Sequence, residues 1–199
     1  MKVRRLSFLG FSTSRQMAWG FAVLWGLLLS LLCSNAAWAH SSSNSYLTLS
    51  MPAEQLTLRA DMHLRDLDLV FDLDENRDGQ VTWAETQTRR AELLAWMTQG
   101  IVLHASGQSC TLGPADLKAS LHADGTYLSA VWTPTCLGVT ERLDEARLTL
   151  RYDLIFAQDN LHRGLLKVDF AKYQSSALLS PERPEVDVDA ADSHPLRVL

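Results

Sequence analysis

The sequence lacks the short motifs of the common catalytic sites. Its 199 residues contain no G-x-S-x-G turn, no H-E-x-x-H pair, no P-loop and no glycine-rich dinucleotide fingerprint. There is also no C-x-x-C pair that could serve as a catalytic dithiol. These absences predict a protein that is not an enzyme. A hydrolase built on two of the scattered Asp and Glu residues is the alternative, because sequence alone does not place such carboxylates together.

Basic side chains are in the minority. The chain carries 18 Lys and Arg residues against 23 Asp and Glu residues. Four of the basic residues lie within the first 39 positions, so residues 40–199 hold 14 basic and 23 acidic side chains. Such a charge repels phosphate backbones and anionic membrane surfaces. We therefore expect no nucleic-acid partner and a protein suited to binding cations.

Long apolar runs are scarce, and only residues 17–33 approach the length of a membrane span. A basic segment without acidic residues precedes this run, and Ala37-Trp38-Ala39 follows it as an A-x-A cleavage site. We predict that residues 1–39 are a signal peptide and that the remainder is periplasmic or secreted. An uncleaved N-terminal membrane anchor is the alternative, since 17 residues is a short span.

Two cysteines, Cys110 and Cys136, remain after residue 39. An even number of cysteines in an oxidising compartment predicts a disulfide, which would close a loop of about 27 residues and contribute about 3 kcal/mol. No further soft ligands lie near either cysteine in sequence, so we interpret the pair as structural rather than metal-binding.

Residues 74–85, DENRDGQVTWAE, have the spacing of an EF-hand calcium loop. Gly79 takes the sixth position, where the chain turns sharply, and Val81 takes the apolar eighth position. A hard cation prefers six to eight oxygen ligands, and alternate residues of a curled loop point theirs inward. The predicted cofactor is therefore Ca²⁺. Its predicted ligands are Asp74, Asn76, Asp78, Gln80 through its carbonyl, Thr82 directly or through water, and Glu85 as a bidentate carboxylate.

Helices are predicted on both sides of this loop, giving an EF-hand over about residues 66–99. The entering helix spans residues 66–73, although leucines alternating with period two there would also suit a strand. Thr82 and Glu85 form a capping box for the exit helix, which is expected to stop at Gly100. Trp83 and Trp96 on this helix are expected to pack under the loop.

The rest of the chain is predicted to be mostly strand. Apolar and polar residues alternate over residues 55–64 and 146–154. Shorter alternating segments cover residues 46–49, 101–105, 117–122, 127–133, 165–172 and 186–189. Asp124-Gly125 is the clearest hairpin signal. The predicted fold is mainly β within the α+β class: an antiparallel β-sandwich or open barrel, with the helix–calcium loop–helix inserted. The β-rich domain is expected over residues 40–184, followed by a tail over residues 185–199.

Several segments taken together carry a family resemblance. They are His40, residues 45–49 (SYLTL), residues 64–69 (LRDLDL), the loop itself, the two cysteines, residues 162–166 (HRGLL) and residues 180–184 (SPERP). This set resembles the exported N-terminal domain of the hydrogenase/urease accessory (HupE/UreJ) family. That family typically continues into a multi-helix membrane portion associated with nickel or related metal uptake, which has no counterpart in these 199 residues. The resemblance implies an extracytoplasmic domain. It does not imply a permease activity, because the membrane portion is missing from these residues.

The leading hypothesis is a non-enzymatic, extracytoplasmic calcium-binding domain with a structural or interaction role. A regulatory calcium switch and a protein partner at the membrane are both compatible with it. The alternative is a periplasmic protein that handles nickel or copper, in which cleavage after Ala39 would let His40 chelate through its α-amine and imidazole. The six histidines show no H-x-H or H-x-x-x-H spacing to support that alternative. We expect His162 to fix a turn between strands.

Overall fold

Two β-sheets, three α-helices and a short 3₁₀ helix (Pro52–Glu54) make up the part of the chain that the structure describes. The computed structural model describes residues 43–139, 142–143 and 146–188. The strands are β1 (Asn44–Ser50), β2 (Thr57–His63), β3 (Ile101–Ala105), β4 (Gln108–Ser109), β5 (Asp116–His122), β6 (Gly125–Trp132), β7 (Leu148–Tyr152), β8 (Arg163–Asp169), β9 (Gln174–Leu179) and β10 (Glu185–Val188). The helices are α1 (Leu64–Phe71), α2 (Trp83–Thr88) and α3 (Arg90–Gly100). The predicted signal peptide and His40 lie outside the described residues.

The strands form a six-stranded sheet in the order β5-β6-β2-β1-β8-β9 and a four-stranded sheet in the order β10-β7-β3-β4. The predicted sheet-rich α+β fold is confirmed. The expectation of purely antiparallel sheets was wrong at one pair, because β1 and β8 run parallel, with Leu47 opposite Leu166. An alternating sequence pattern specifies which face of a strand is buried, and it carries no information about the direction of the neighbouring strand.

The core lies between the two sheets. In both long alternating segments the apolar residues are buried as predicted, except Leu64, which is partly buried and begins α1. One continuous cluster joins the inward side chains of the two sheets, including Leu47, Leu58 and Met62 from the larger sheet and Leu103, Leu150 and Tyr152 from the smaller. Burial of one face per strand on a shared core makes the pair of sheets a sandwich.

Helix α1 follows β2 without a loop and begins two residues earlier than predicted. Leu67 is fully buried, whereas Leu69 is 61% exposed. A strand would have placed both residues on one face, so their opposite exposure reflects helical periodicity. The side chain of His63 caps the helix, since its Nδ1 accepts the backbone N–H of Arg65 at 3.1 Å.

The exit segment differs from the single helix that was predicted. It breaks at Arg89 (φ −105°, ψ 13°) into α2 and α3. Gly100 is the last residue of α3 and leads directly into β3, so it is not a cap residue beyond the helix. Glycine is required there because the side chain of Leu154 occupies the space of a Cβ atom.

Two strands were not predicted. β4 has only two residues, and β9 (QSSALL) is polar over half its length, so neither shows a clear alternation. The predicted hairpin is present: β5 and β6 pair up to His122 and Gly125 across a two-residue turn. Strand β10 matches the alternating segment predicted over residues 186–189, and it pairs with β7, so the start of the predicted tail belongs to the smaller sheet. The predicted disulfide joins Cys110 to Cys136.

Candidate functional site

The segment between α1 and α2 is a tightly curled loop whose first residue is held by α1. Helix α1 ends with Asp72 in the left-handed conformation (φ 51°), and the N–H of Asp72 bonds the carbonyl of Asp68 at 2.8 Å. The carboxylate of Asp68 then accepts the backbone N–H of Asp74 at 2.9 Å. The last turn of α1 thereby fixes where the loop begins.

Three predicted ligands, Asp74, Asn76 and Asp78, turn their side-chain oxygens toward the loop's own backbone. The carboxylate of Asp74 accepts the N–H groups of Asp78 at 3.1 Å and Gly79 at 2.7 Å. Oδ1 of Asn76 accepts the same N–H of Asp78 at 2.8 Å, and Oδ1 of Asp78 accepts the N–H of Gln80 at 2.9 Å. Oxygens from alternate residues therefore gather on the inner side of one turn.

Backbone conformation at two positions permits this curl. Gly79 has φ +84°, a region that side chains with a Cβ rarely adopt. Arg77 also has a positive φ of 59°. Because no atom lies within 4 Å of where a Cβ at Gly79 would be, the glycine is required for its backbone conformation and not for space.

The end of the loop is closed by Thr82 and Glu85. The carboxylate of Glu85 accepts the N–H of Thr82 at 2.8 Å and its hydroxyl at 2.7 Å, and the Thr82 hydroxyl caps the N–H of Glu85. This is the predicted capping box. The hydrogen bond from the Thr82 side chain, followed by those from the N–H groups of Thr82 and Asn76, lowers the pKa of Glu85. The carboxylate is therefore ionised at neutral pH and faces the first half of the loop.

An aromatic pair holds the flanking helices together. The rings of Phe71 in α1 and Trp96 in α3 meet edge to face, with centroids 5.2 Å apart. Trp96 thus packs against the helix that enters the loop, whereas Trp83, which was also expected to pack under the loop, is 44% exposed. The contact limits how far the two ends of the helix–loop–helix can move apart.

The donor set of the loop fits a hard divalent cation. It consists of carboxylate, amide, hydroxyl and carbonyl oxygens without sulfur or imidazole, the composition that Ca²⁺ prefers over transition metals. Among the described residues no group of three or more His, Cys, Asp or Glu side chains converges in the manner of metal ligands. The carboxylates of the loop instead accept its backbone N–H groups, and Glu85 bonds Thr82. Gln80 donates its N–H to Asp78.

A buried polar chain that the sequence analysis did not foresee runs beside the base of α1. The ring of His162 is fully buried and lies within hydrogen-bonding distance of Ser43 (2.6 Å), Ser45 (3.1 Å) and Tyr152 (2.8 Å). Ser43 donates its hydroxyl proton to Asp66 at 2.8 Å, so Nδ1–H of His162 donates to Ser43. Tyr152 donates to Ser45, which leaves the Ser45 hydroxyl to donate to Nε2. The hydrogen bonds therefore run in one direction from Tyr152 through Ser45, His162 and Ser43, and they end on the carboxylate of Asp66 in the first turn of α1. The short contact between the Tyr152 oxygen and Nε2 carries no proton in this arrangement.

Burial lowers the pKa of His162 to about 4 and raises that of Tyr152. Both groups are therefore neutral at pH 7. Serine, histidine and aspartate also occur together in hydrolases; here Ser45 and His162 are each 0% exposed. The chain of hydrogen bonds joins residues up to 119 positions apart, which no sequence motif reveals.

A second polar cluster lies on the outward face of the six-stranded sheet. Tyr46 stacks on His122 with centroids 5.0 Å apart, and Asp61, only 5% exposed, bonds Arg59 at 2.8 Å and His122 at 3.1 Å. These residues line an open groove. Sequence reasoning missed the cluster because its members come from three separate strands.

No protein-family model matches this chain, and no curated protein sequence matches it. Within the described residues, no helix is both long and apolar enough to span a membrane.

Proposed function

We propose that this protein is a non-enzymatic calcium-binding domain in which residues 74–85 bind one Ca²⁺. The observation that carries the proposal is the curled loop itself, where Asp74, Asn76 and Asp78 aim oxygens at one turn around Gly79. Glu85 supplies an ionised carboxylate at the other end. Oxygens at these positions are the ligands that an EF-hand loop offers.

The proposed role of the ion is structural. Sensor EF-hands work as pairs that open on binding, whereas this chain has one such loop, and its flanking helices are joined by the Phe71–Trp96 contact. Extracellular modules of this class bind calcium with dissociation constants of roughly 10⁻⁴–10⁻³ M. A site of that affinity stabilises the fold by about 1.4 kcal/mol when calcium is in tenfold excess over the dissociation constant.

We propose that the protein functions outside the cytoplasm. The Cys110–Cys136 disulfide supports this location, because structural disulfides persist in oxidising compartments. The predicted signal peptide and the resemblance to the exported HupE/UreJ domain point the same way. A protein partner at the membrane is compatible with this location. The nickel or copper alternative depends on His40, which lies outside the described residues, and no described histidine cluster favours it.

Calorimetric titration of the purified protein with CaCl₂ tests the proposal. We expect one binding event in the wild type, loss of binding in Glu85→Gln, and binding in Glu75→Gln. Glu75 belongs to the same exposed loop but not to the predicted ligand set, so its replacement removes the same charge without removing a ligand. Absence of heat in the wild type at millimolar calcium, or equal heats for wild type and Glu85→Gln, would rule the function out.

A further inference from the structure

The buried chain around His162 ends on the same helix that begins the loop. Asp66 lies in the first turn of α1 and receives the hydroxyl of Ser43, while Asp68, two residues later, receives the backbone N–H of Asp74. We propose that Ser43 and His162 act as positioning residues for the loop: they hold α1 through Asp66 and so raise the affinity of residues 74–85 for calcium. This inference rests on the proposed function.

Helix α1 needs such an anchor because it is short. It has eight residues, and isolated helices of that length are marginal in water. Only Leu67 and Asp66 are buried among its residues. Leu64, Val70 and Phe71 pack against the core but stay partly exposed. Apolar packing is not directional, so the hydrogen bond to Asp66 adds a constraint on the rotation of the helix that these contacts do not supply.

The anchor is stiff because it is buried and fully paired. His162 and Asp66 are buried, and the two links that join them through Ser43 are hydrogen bonds of 2.6 and 2.8 Å. Losing a buried hydrogen bond leaves an unsatisfied polar group in the interior. The resulting loss of stability is larger than the stability that a hydrogen bond at the surface contributes. The second oxygen of Asp66 faces the guanidinium of Arg65 at 3.3 Å. The carboxylate is thus held from two sides.

Movement of α1 passes directly to the loop. The carboxylate of Asp68 contacts the N–H of Asp74, the first predicted ligand, so a shift of the helix displaces that ligand relative to Glu85. Calcium binding requires the ligands at the two ends of the loop to be correctly placed relative to each other. A helix that is already held in place before binding lowers the free-energy cost of ordering the site. Two sites coupled in this way affect each other reciprocally.

The two sides of the His162 ring provide a matched pair of variants. Ser43→Ala breaks the link from Nδ1 to Asp66, whereas Tyr152→Phe removes a hydroxyl on the Nε2 side and leaves Ser43 and Asp66 untouched. Titration of each purified protein with CaCl₂ gives the affinity, and thermal unfolding without calcium gives the stability. We expect Ser43→Ala to raise the calcium Kd about fivefold or more, the lower end of typical site-to-site coupling. Tyr152→Phe is expected to lower Tm while its Kd stays within about twofold of wild type.

Other outcomes decide against the inference. A wild-type Kd in Ser43→Ala would overturn it, and so would an equal rise in Kd for both variants, which would indicate general loosening. Asp66→Asn serves as a second variant if Ser43→Ala does not fold, because it keeps an acceptor oxygen; we expect a smaller rise in Kd, and an unchanged Kd counts against the proposal. If the wild type itself binds no calcium, the proposed function fails and this inference fails with it. If the wild type binds calcium but the variants bind it with the same Kd, only the inference is overturned and the proposed function stands.

Discussion

The side chain of Leu154 occupies the space that a Cβ atom at Gly100 would need. This contact packs the end of α3 against the segment that follows β7. Helix α3 passes directly into β3, so there is no loop that could absorb a shift of the helix. The position of the exit helix therefore depends on a residue without a side chain.

Gly100→Ala is expected to destabilise the protein by about 1–3 kcal/mol, the usual cost of adding a methyl group to a filled core. Urea unfolding measures this as a lower midpoint at an unchanged slope. Gln99→Ala, at the exposed neighbouring position of the same helix, should stay within about 0.5 kcal/mol of wild type. Equal stability of Gly100→Ala and wild type would show that Leu154 moves aside freely.

Stability should fall as the pH drops from 6.5 toward 4 because of His162. Its pKa in the folded protein is lowered from 6.5 to about 4 by burial, so the unfolded chain takes up a proton on this ring at a higher pH than the folded chain does. The stabilising contribution is fully present above pH 6.5 and is lost as the pH falls through that window, with a slope on the order of 1 kcal/mol per pH unit.

Urea unfolding at pH 7, 6 and 5 checks this dependence. His162→Phe should be less stable at pH 7 and should lose part of the wild-type pH slope, whereas Tyr152→Phe keeps the ring and should keep the slope. Identical slopes in wild type and His162→Phe would show that the ring does not titrate in this range.

Removing the disulfide should cost about 3 kcal/mol. Cys110 and Cys136 are 26 positions apart, and a cross-link over that separation restricts the unfolded chain by about this amount. The double variant Cys110→Ala/Cys136→Ala and wild type under reducing conditions should show the same loss in urea unfolding. A reduced wild type as stable as the oxidised protein would contradict the prediction.

Gly79→Ala should weaken calcium binding several-fold. An alanine at φ +84° costs roughly 1–2 kcal/mol, so the free loop relaxes away from the curled conformation. Gly107→Ala is the matched control, because Gly107 has φ +79°, also has open space around it, and lies in the turn between β3 and β4. Both variants should lose similar stability, but only Gly79→Ala should raise the calcium Kd in calorimetry. A raised calcium Kd in both variants would show that the weaker binding does not come from the conformation of the calcium loop.

Local patterns in the sequence predicted local structure well. The alternation over residues 146–154 identified the buried face of β7, since Leu148, Leu150 and Tyr152 are each fully buried. The capping box of Thr82 and Glu85 marked the start of α2 at the correct residue. Such signals succeed because the interactions behind them join residues two to four positions apart.

Features that depend on distant residues could not be predicted. The helix break at Arg89 has no proline or glycine to mark it. The chain through His162 draws on β1, α1 and β7, whose neighbourhood follows from the pairing of strands and not from any one segment. The chain could not be found in the sequence for that reason.

The parallel pairing of β1 with β8 has a kinetic consequence. β1 is the first described strand to be synthesised, and its partner begins at Arg163, so the middle of the larger sheet closes only after most of the chain exists. Contacts between such distant segments form slowly, and a strand awaiting its neighbour exposes an edge that other chains can join. We expect the nascent chain to be vulnerable to aggregation until β8 arrives, and a chaperone that shields β1 in the interval would raise the yield of folded protein.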